Sequence, residues 1–273
     1  MSQIVTSDLL ATIVAATRRA VAVRAAARPL VQVERAAAGR RPRSVLFHSA
    51  IGESAWPRII AECKRRSPSR GVLCAEYDPR AIARGYAANG AAAISVLTEP
   101  SFFDGDLEHL RAVRAEVEVP LLRKDFIVTP YQLVEAREAG ADAVLLIAGA
   151  LGETSLIDLL AASEALGLAA LIEVHDELEL DRALDAGASI VGVNSRNLRT
   201  LEVDLGVTTR LASRIPDQVI AVAESGLKTA EDLKRLQELG YDAFLIGERF
   251  MTQPDPGSAL RAMRSGGAPG DRT

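Results

Sequence analysis

The chain has 273 residues, 48% hydrophobic and 25% charged, enough for one large core or two modest ones. A net charge of -4 excludes a global attraction to nucleic acid or to an anionic membrane, and two cysteines, Cys63 and Cys74, are too few for a disulfide framework. No apolar run approaches the roughly 20 residues that span a bilayer, and the N-terminus lacks the regions of a secretion signal, so a cytoplasmic protein is expected.

The first element is LLATIVAATRRAVAVRAAARPL, from Leu9. It reads as a helix that packs leucine, isoleucine and valine on the domain and leaves Arg18, Arg19, Arg24 and Arg28 largely solvated. Its shortage of acids also fits a transit peptide or a membrane-surface helix. GRRPR around Gly39 reads as a loop.

The stretch IIAECKRRSPSRG follows, from Ile59, and begins like a buried strand. On a strand, Ile60, Glu62 and Lys64 project to one side and Ile59, Ala61 and Cys63 to the other. An acid and a base on one face are costly to bury unless paired, solvated or used. The stretch is therefore either a charged strand end at the surface or a working site.

From there the sequence repeats one phrase: a helical pattern ending in glycine, a short linker, then an apolar β-branched run. It recurs in YAANGAAAISVL, AREAGADAVLLI, SEALGLAALIEV, ALDAGASIVGV and LQELGYDAFLIG. Gly90, Gly140, Gly167, Gly187 and Gly240 sit where a helix C-cap needs positive φ, and each run reads as a strand buried on both faces. IIAECK, VPLLRKDF and VIAVAESG complete eight strands at intervals of about 20 to 35 residues, room for a strand, a helix and two loops. This is an α/β chain, and eight parallel units suggest a closed (β/α)8 TIM barrel with an N-terminal helical extension. An open doubly wound sheet is the alternative, but no GxGxxG follows any strand. The expected layout is one barrel domain over residues 1–273, with the extension at 1–45 and a disordered tail at 265–273.

In such a barrel, function gathers at the carboxyl ends of the strands. Glu62 and Lys64 lie there on the first strand and Lys124 on the third. Glu173 ends the fifth, Asn194 and Arg196 the sixth, and Glu224 with Ser225 the seventh. Lysines and carboxylates in one mouth tune each other's protonation and serve as acid and base in a single reaction. His48, His109 and His175 are scattered, which gives a histidine metal site or a Ser-His-Asp triad little support. No metal and no cofactor are expected. After the seventh strand come Ser225 and Gly226 and a helix capped by Thr229; after the eighth come Gly247 and ERFM. Glycines at these two ends suit a phosphate.

The motifs IIAECKRRSPSRG, SVLTEPSFFDG, PLLRKDFIV, LIEVHDE, GVNSRNLRTLEVDL, AESGLKT and FLIGERFM together resemble those of indole-3-glycerol phosphate synthases, in order from Ile59 to about Met251. The resemblance implies closure of 1-(2-carboxyphenylamino)-1-deoxyribulose 5-phosphate to an indole with loss of CO2 and water. It implies Lys124 as the acid for ring closure, Glu173, Glu62 and Lys64 in the remaining proton transfers, and Asn194 and Glu224 as orienting groups. Arg196 would hold the substrate's carboxylate. Ser67, Ser225, Gly226 and Gly247 would line the phosphate end, and Phe103, Phe126, Leu145, Leu198 and Leu245 would contact the aromatic ring. Glu248 stands where other members carry serine, and its carboxylate is expected to turn outward. The partner implied is a phosphorylated small molecule, with no nucleic acid or membrane, handled by a monomer or weak homodimer.

Overall fold

The computed structural model describes residues 8–266. The expected disorder at 265–273 lies outside the described residues beyond Gly266, while Ser265 and Gly266 end and cap the last helix.

Eight parallel strands close into a barrel. They are β1 (Ile59–Cys63), β4 (Ala93–Leu97), β5 (Leu121–Lys124), β6 (Ala143–Ile147), β7 (Ala169–Val174), β8 (Ile190–Asn194), β9 (Ile220–Glu224) and β10 (Ala243–Ile246). Each pairs with its sequence neighbour, and Ile60 of β1 opposite Leu245 of β10 closes the ring. The short β2 (Arg66–Ser67) and β3 (Gly71–Val72) form an antiparallel hairpin just after β1. The five junction glycines all have positive φ, so chain reversal after each helix is written where the repeat places it.

Among the described residues three helices precede the barrel: α1 (Leu9–Ala27), α2 (Leu30–Ala37) and α3 (Ser44–Gly52). The rest are α4 (Pro79–Ala88), α5 (Pro100–Phe103), α6 (Leu107–Arg114), α7 (Pro130–Ala139), α8 (Glu153–Ala165), α9 (Glu177–Asp185), α10 (Gly206–Ala212), α11 (Ala230–Glu238), α12 (Glu248–Met251) and α13 (Pro256–Ser265). Local chemistry starts them. Thr229 caps α11 by accepting from the Asp232 amide at 3.1 Å, while Asp232 accepts from the Thr229 amide at 2.9 Å.

Strand alternation sorts the apolar residues into two cores. Ile59, Ala61 and Cys63 face outward into the layer between sheet and helices, whereas Ile60 faces inward with Leu122, Leu145, Leu171, Val222 and Leu245. The N-terminal helices clasp this frame from end to end. Leu10 and Ile13 of α1 join the inner core, as do Phe47 and Ile51 of α3, while Gly52 lies against Ile220 at the start of β9. Between these ends, Val21 of α1 and Val33 and Ala37 of α2 pack on Tyr131 and Val134 of α7.

One expectation about α1 is corrected. Arg18 and Arg19 are exposed, but Arg24 forms a two-point ion pair with the buried Glu135 of α7, at 2.8 and 3.0 Å, and Arg28 lies 3.5 Å from Glu138. The buried carboxylate needs a counter-ion, and α1 supplies one. Among the described residues no helix is long and apolar enough to cross a membrane.

Candidate active site

The carboxyl ends of the strands open into a cavity of about 980 Å³. All the sequence-predicted site residues line it. Glu62, Lys64, Lys124, Glu173, Asn194, Arg196 and Glu224 bring the charge; Phe103, Phe126, Leu145, Leu198 and Leu245 bring the apolar wall; Ser67, Ser225, Gly226 and Gly247 lie along it as well. The strand alternation that buries Ile60 beneath Glu62 applies around the ring, so each polar strand end stands on an apolar layer.

At the centre is the Lys124 ammonium, which donates to Glu173 Oε2 at 2.6 Å and to Glu224 Oε2 at 2.8 Å. Asn194 Nδ2 donates to the other Glu173 oxygen at 2.9 Å. Lys64 pairs with Glu62 beside them. Gly247 is what lets Glu62 stand there: a Cβ at 247 would lie 2.9 Å from the Glu62 carboxyl carbon. Phe103 and Phe126 meet at 6.1 Å between ring centroids with planes 35° apart, forming one side of the apolar wall.

These charges adjust one another. Burial alone would lower Lys124, yet Glu173, Glu224 and Glu62 around it hold its ammonium well above the ordinary lysine range. Burial works against the Glu173 carboxylate too, but the Lys124 charge and the hydrogen bonds from Lys124 and Asn194 bring it below its usual range. Glu224 is the group that yields. Burial pushes its carboxyl up to about 8 despite Lys124, with the Glu173 charge adding to the push. Among the described residues its Oε1 has no hydrogen-bond partner. Near neutral pH the cluster thus holds a cation, an anion and a neutral acid within hydrogen-bonding reach, which is equipment for moving protons.

A stability consequence follows from Glu224. Its carboxyl titrates near 8 when folded, above about 4.3 when unfolded, so the folded state binds more protons between those values. The stability it contributes is full below the unfolded value and drains away as pH rises through about 8. Glu224→Gln is therefore expected to melt about 2–8 °C above the parent at about pH 9, with a smaller gain at about pH 6. Thermal melts at both values check this, and an equal shift at the two would refute the titration as its source.

At the mouth, Ser225 and Gly226 are consecutive residues with φ of 64° and 75°. A side chain at 226 would also strike Leu205, so glycine is required there. Arg196 stands two residues beyond β8, its Nη1 donating to the Leu201 carbonyl at 3.0 Å. His175 is not among the residues lining the cavity; its Nδ1 donates to the Asn194 carbonyl at 2.7 Å, a support for the strand end carrying Asn194. Glu248 departs from expectation. Its carboxylate lines the cavity and reaches Arg70 and Arg196, because two guanidiniums at the rim offer it more than water alone. Arg70, in the β2–β3 turn, was not singled out by sequence; only its place in the SPSRG loop hinted at it.

Fold and site together define a (β/α)8-barrel enzyme with an acid–base cluster at the carboxyl ends of its strands. The family model of indole-3-glycerol phosphate synthase matches residues 10–263, and the chain belongs to that family. An indole-3-glycerol phosphate synthase of Chromobacterium violaceum is 47% identical over 259 residues, covering 93% of this chain and 97% of the relative. One from Mycolicibacterium vanbaalenii is 48% identical and covers 96% of each chain. One from a Parafrankia species is 56% identical over 72% of this chain and 74% of its own length. Among solved structures, a 3-hexulose-6-phosphate synthase matches with TM-score 0.62 at 16% identity, over 77% of this chain and 100% of its own. A thiamine phosphate pyrophosphorylase from Pyrococcus furiosus matches with TM-score 0.57 at 17% identity, over 76% and 94%. These two likenesses are of fold.

Proposed function

We propose that the cavity closes 1-(2-carboxyphenylamino)-1-deoxyribulose 5-phosphate to indole-3-glycerol phosphate by acid–base catalysis, with Lys124 as the acid for ring closure. The aromatic carbon bearing the carboxylate attacks the ketone carbon, a C–C bond forms, and Lys124 protonates the developing alkoxide. Loss of CO2 leaves its electron pair in the ring. The new hydroxyl then departs as water, taking a proton from an acid while a base removes the proton that completes the indole. Glu173, Glu62 and Lys64 share these last transfers, and Asn194 and Glu224 orient the participants.

The observation that carries this reading is the contact of Lys124 with both Glu173 and Glu224 beside the Phe103 and Phe126 wall. A single cation between two carboxylates can give a proton while an anion remains to take one. Ser67, Ser225, Gly226 and Gly247 form the phosphate end, and Phe103, Phe126, Leu145, Leu198 and Leu245 hold the aromatic ring. The test is to mix the pure protein with the carboxyphenylamino deoxyribulose phosphate, without added metal or cofactor, and follow indole fluorescence. No fluorescence would end the proposal.

Arg196 is read as the group that holds the substrate's carboxylate, for which a guanidinium is well shaped. If it binds ground and transition states alike, Arg196→Ala raises KM about tenfold or more and leaves kcat nearly unchanged. An unaltered KM in steady-state assays would remove Arg196 from that role. We further read the chain as one cytoplasmic domain over residues 1–273, with its extension at 1–45, working as a monomer or weak homodimer.

A further inference from the structure

The anion end of the cavity contains an acid that the proposed chemistry does not use. Glu248 Oε1 accepts from Arg70 Nε at 3.1 Å, and its Oε2 lies 3.6 Å from Arg196 Nη2. The three side chains come from separate places: the β2–β3 turn, the loop after β8 and the start of α12 just beyond β10. Lys228 and Arg249 line the same cavity. One carboxylate is therefore set between two guanidiniums, at the end of the cavity read above as the phosphate site.

As a structural tie this arrangement is worth little. Glu248 is 30% exposed and Arg70 66% exposed, and ion pairs so open to water contribute almost nothing to stability. The same openness makes the partners easy to exchange. A phosphate dianion offers more oxygens and more charge to a guanidinium than a single carboxylate does.

We infer that Glu248 is an internal counter-ion: in the free protein it holds Arg70, with Arg196 beside it, and the ligand's phosphate displaces it from Arg70 while Arg196 is left to the ring carboxylate. Resting on the phosphate-end reading above, this makes Glu248 a residue that sets affinity. Substrate and product of the proposed reaction both carry phosphate, and only the substrate carries the ring carboxylate. A phosphate end with unopposed cations would hold the product as firmly as the substrate. By charging a fixed cost against every phosphate, Glu248 weakens the grip on the one ligand whose remaining anion is that phosphate, and so speeds its departure.

The experiment uses inorganic phosphate as a competitive inhibitor of the fluorescence assay, at fixed ionic strength, on the parent, Glu248→Gln and Glu248→Ser. Removing one negative charge from beside the bound dianion is expected to tighten phosphate inhibition roughly five- to tenfold in both variants. Raising the salt concentration is expected to shrink the difference, and product inhibition is expected to tighten in parallel. Arg70→Gln added to Glu248→Gln is expected to give back part of the gain. Phosphate inhibition that is unchanged or weaker in both Glu248 variants, with the parent still inhibited competitively, overturns the counter-ion role alone. Phosphate that competes with substrate in none of the proteins overturns the phosphate-end reading as well.

Discussion

Lys124→Ala is expected to leave the barrel folded and to lower turnover by about 10² to 10⁴. Two losses combine. The variant lacks the acid for the developing alkoxide, and it also strips Glu173 and Glu224 of the ammonium that sits 2.6 and 2.8 Å from them. Without the ammonium nothing holds the Glu173 carboxyl below its usual range, so the proton that the pair carries is no longer confined to Glu224, and Glu173 weakens as a base in the same stroke. This places the loss toward the upper end of the range. The fold survives because the cluster lines the cavity and the carboxyls can neutralise themselves, whereas the layer below is apolar and unaltered. Lys124→Arg separates the two losses. A guanidinium restores the positive charge, and with it the Glu173 anion, but releases no proton at working pH. Turnover is expected to stay low in Lys124→Arg while the acid limb of the pH–rate profile returns toward the parent's. Near-normal turnover of Lys124→Ala, measured against a melting curve that shows it folded, would reassign the acid.

What could be read from sequence, and what could not, follows the range of the interactions. The alternation of Ile60, Glu62 and Lys64 against Ile59, Ala61 and Cys63 is a property of five or six consecutive residues, and the structure divides them between inner and outer cores accordingly. Gly140 and its four counterparts announce helix ends because positive φ is a local demand. Once eight such units are recognised, barrel closure brings Lys124 and Glu224 together although they are 100 residues apart. The fold supplies the distance that sequence lacks. Contacts the barrel topology does not dictate stayed hidden. Arg24 meets Glu135 across 111 residues, through the packing of α1 on α7, and nothing in either segment names the other. The inward turn of Glu248 was missed for a related reason. Its partner, the guanidinium of Arg70, lies 178 residues away in sequence.

Arg123→Met is expected to destabilise the protein by about 3–5 kcal/mol, lowering Tm by roughly 6–20 °C, while the correctly folded fraction keeps its activity at low temperature. Arg123 precedes Lys124 on β5, so alternation sends its side chain outward, into the layer under α7, where it is fully buried. There Nη2 donates to Asp125 Oδ2 at 2.7 Å, Nη1 to the Gln132 carbonyl at 2.7 Å, and Nε to the Thr98 hydroxyl at 3.1 Å. Glu135 lies 3.5 Å away and carries the charge on to Arg24. Methionine fills much of the same volume, so the cost is not chiefly a cavity. It is the loss of the buried positive charge that Asp125 and Glu135 share, which leaves Asp125 only the Thr98 hydroxyl and the Phe126 amide. Arg24→Ala, at the half-exposed outer end of the same chain of charges, is expected to cost less, about 1 kcal/mol, because Glu135 keeps Arg123 as a counter-ion 3.5 Å away and solvent takes over only the outer side. The contrast between two arginines in one network isolates burial as the cause. Thermal melts of the two variants decide the matter: if Arg123→Met melts within about 2 °C of the parent, the network is ornamental and the strand end bearing Lys124 is held by its backbone ladder alone.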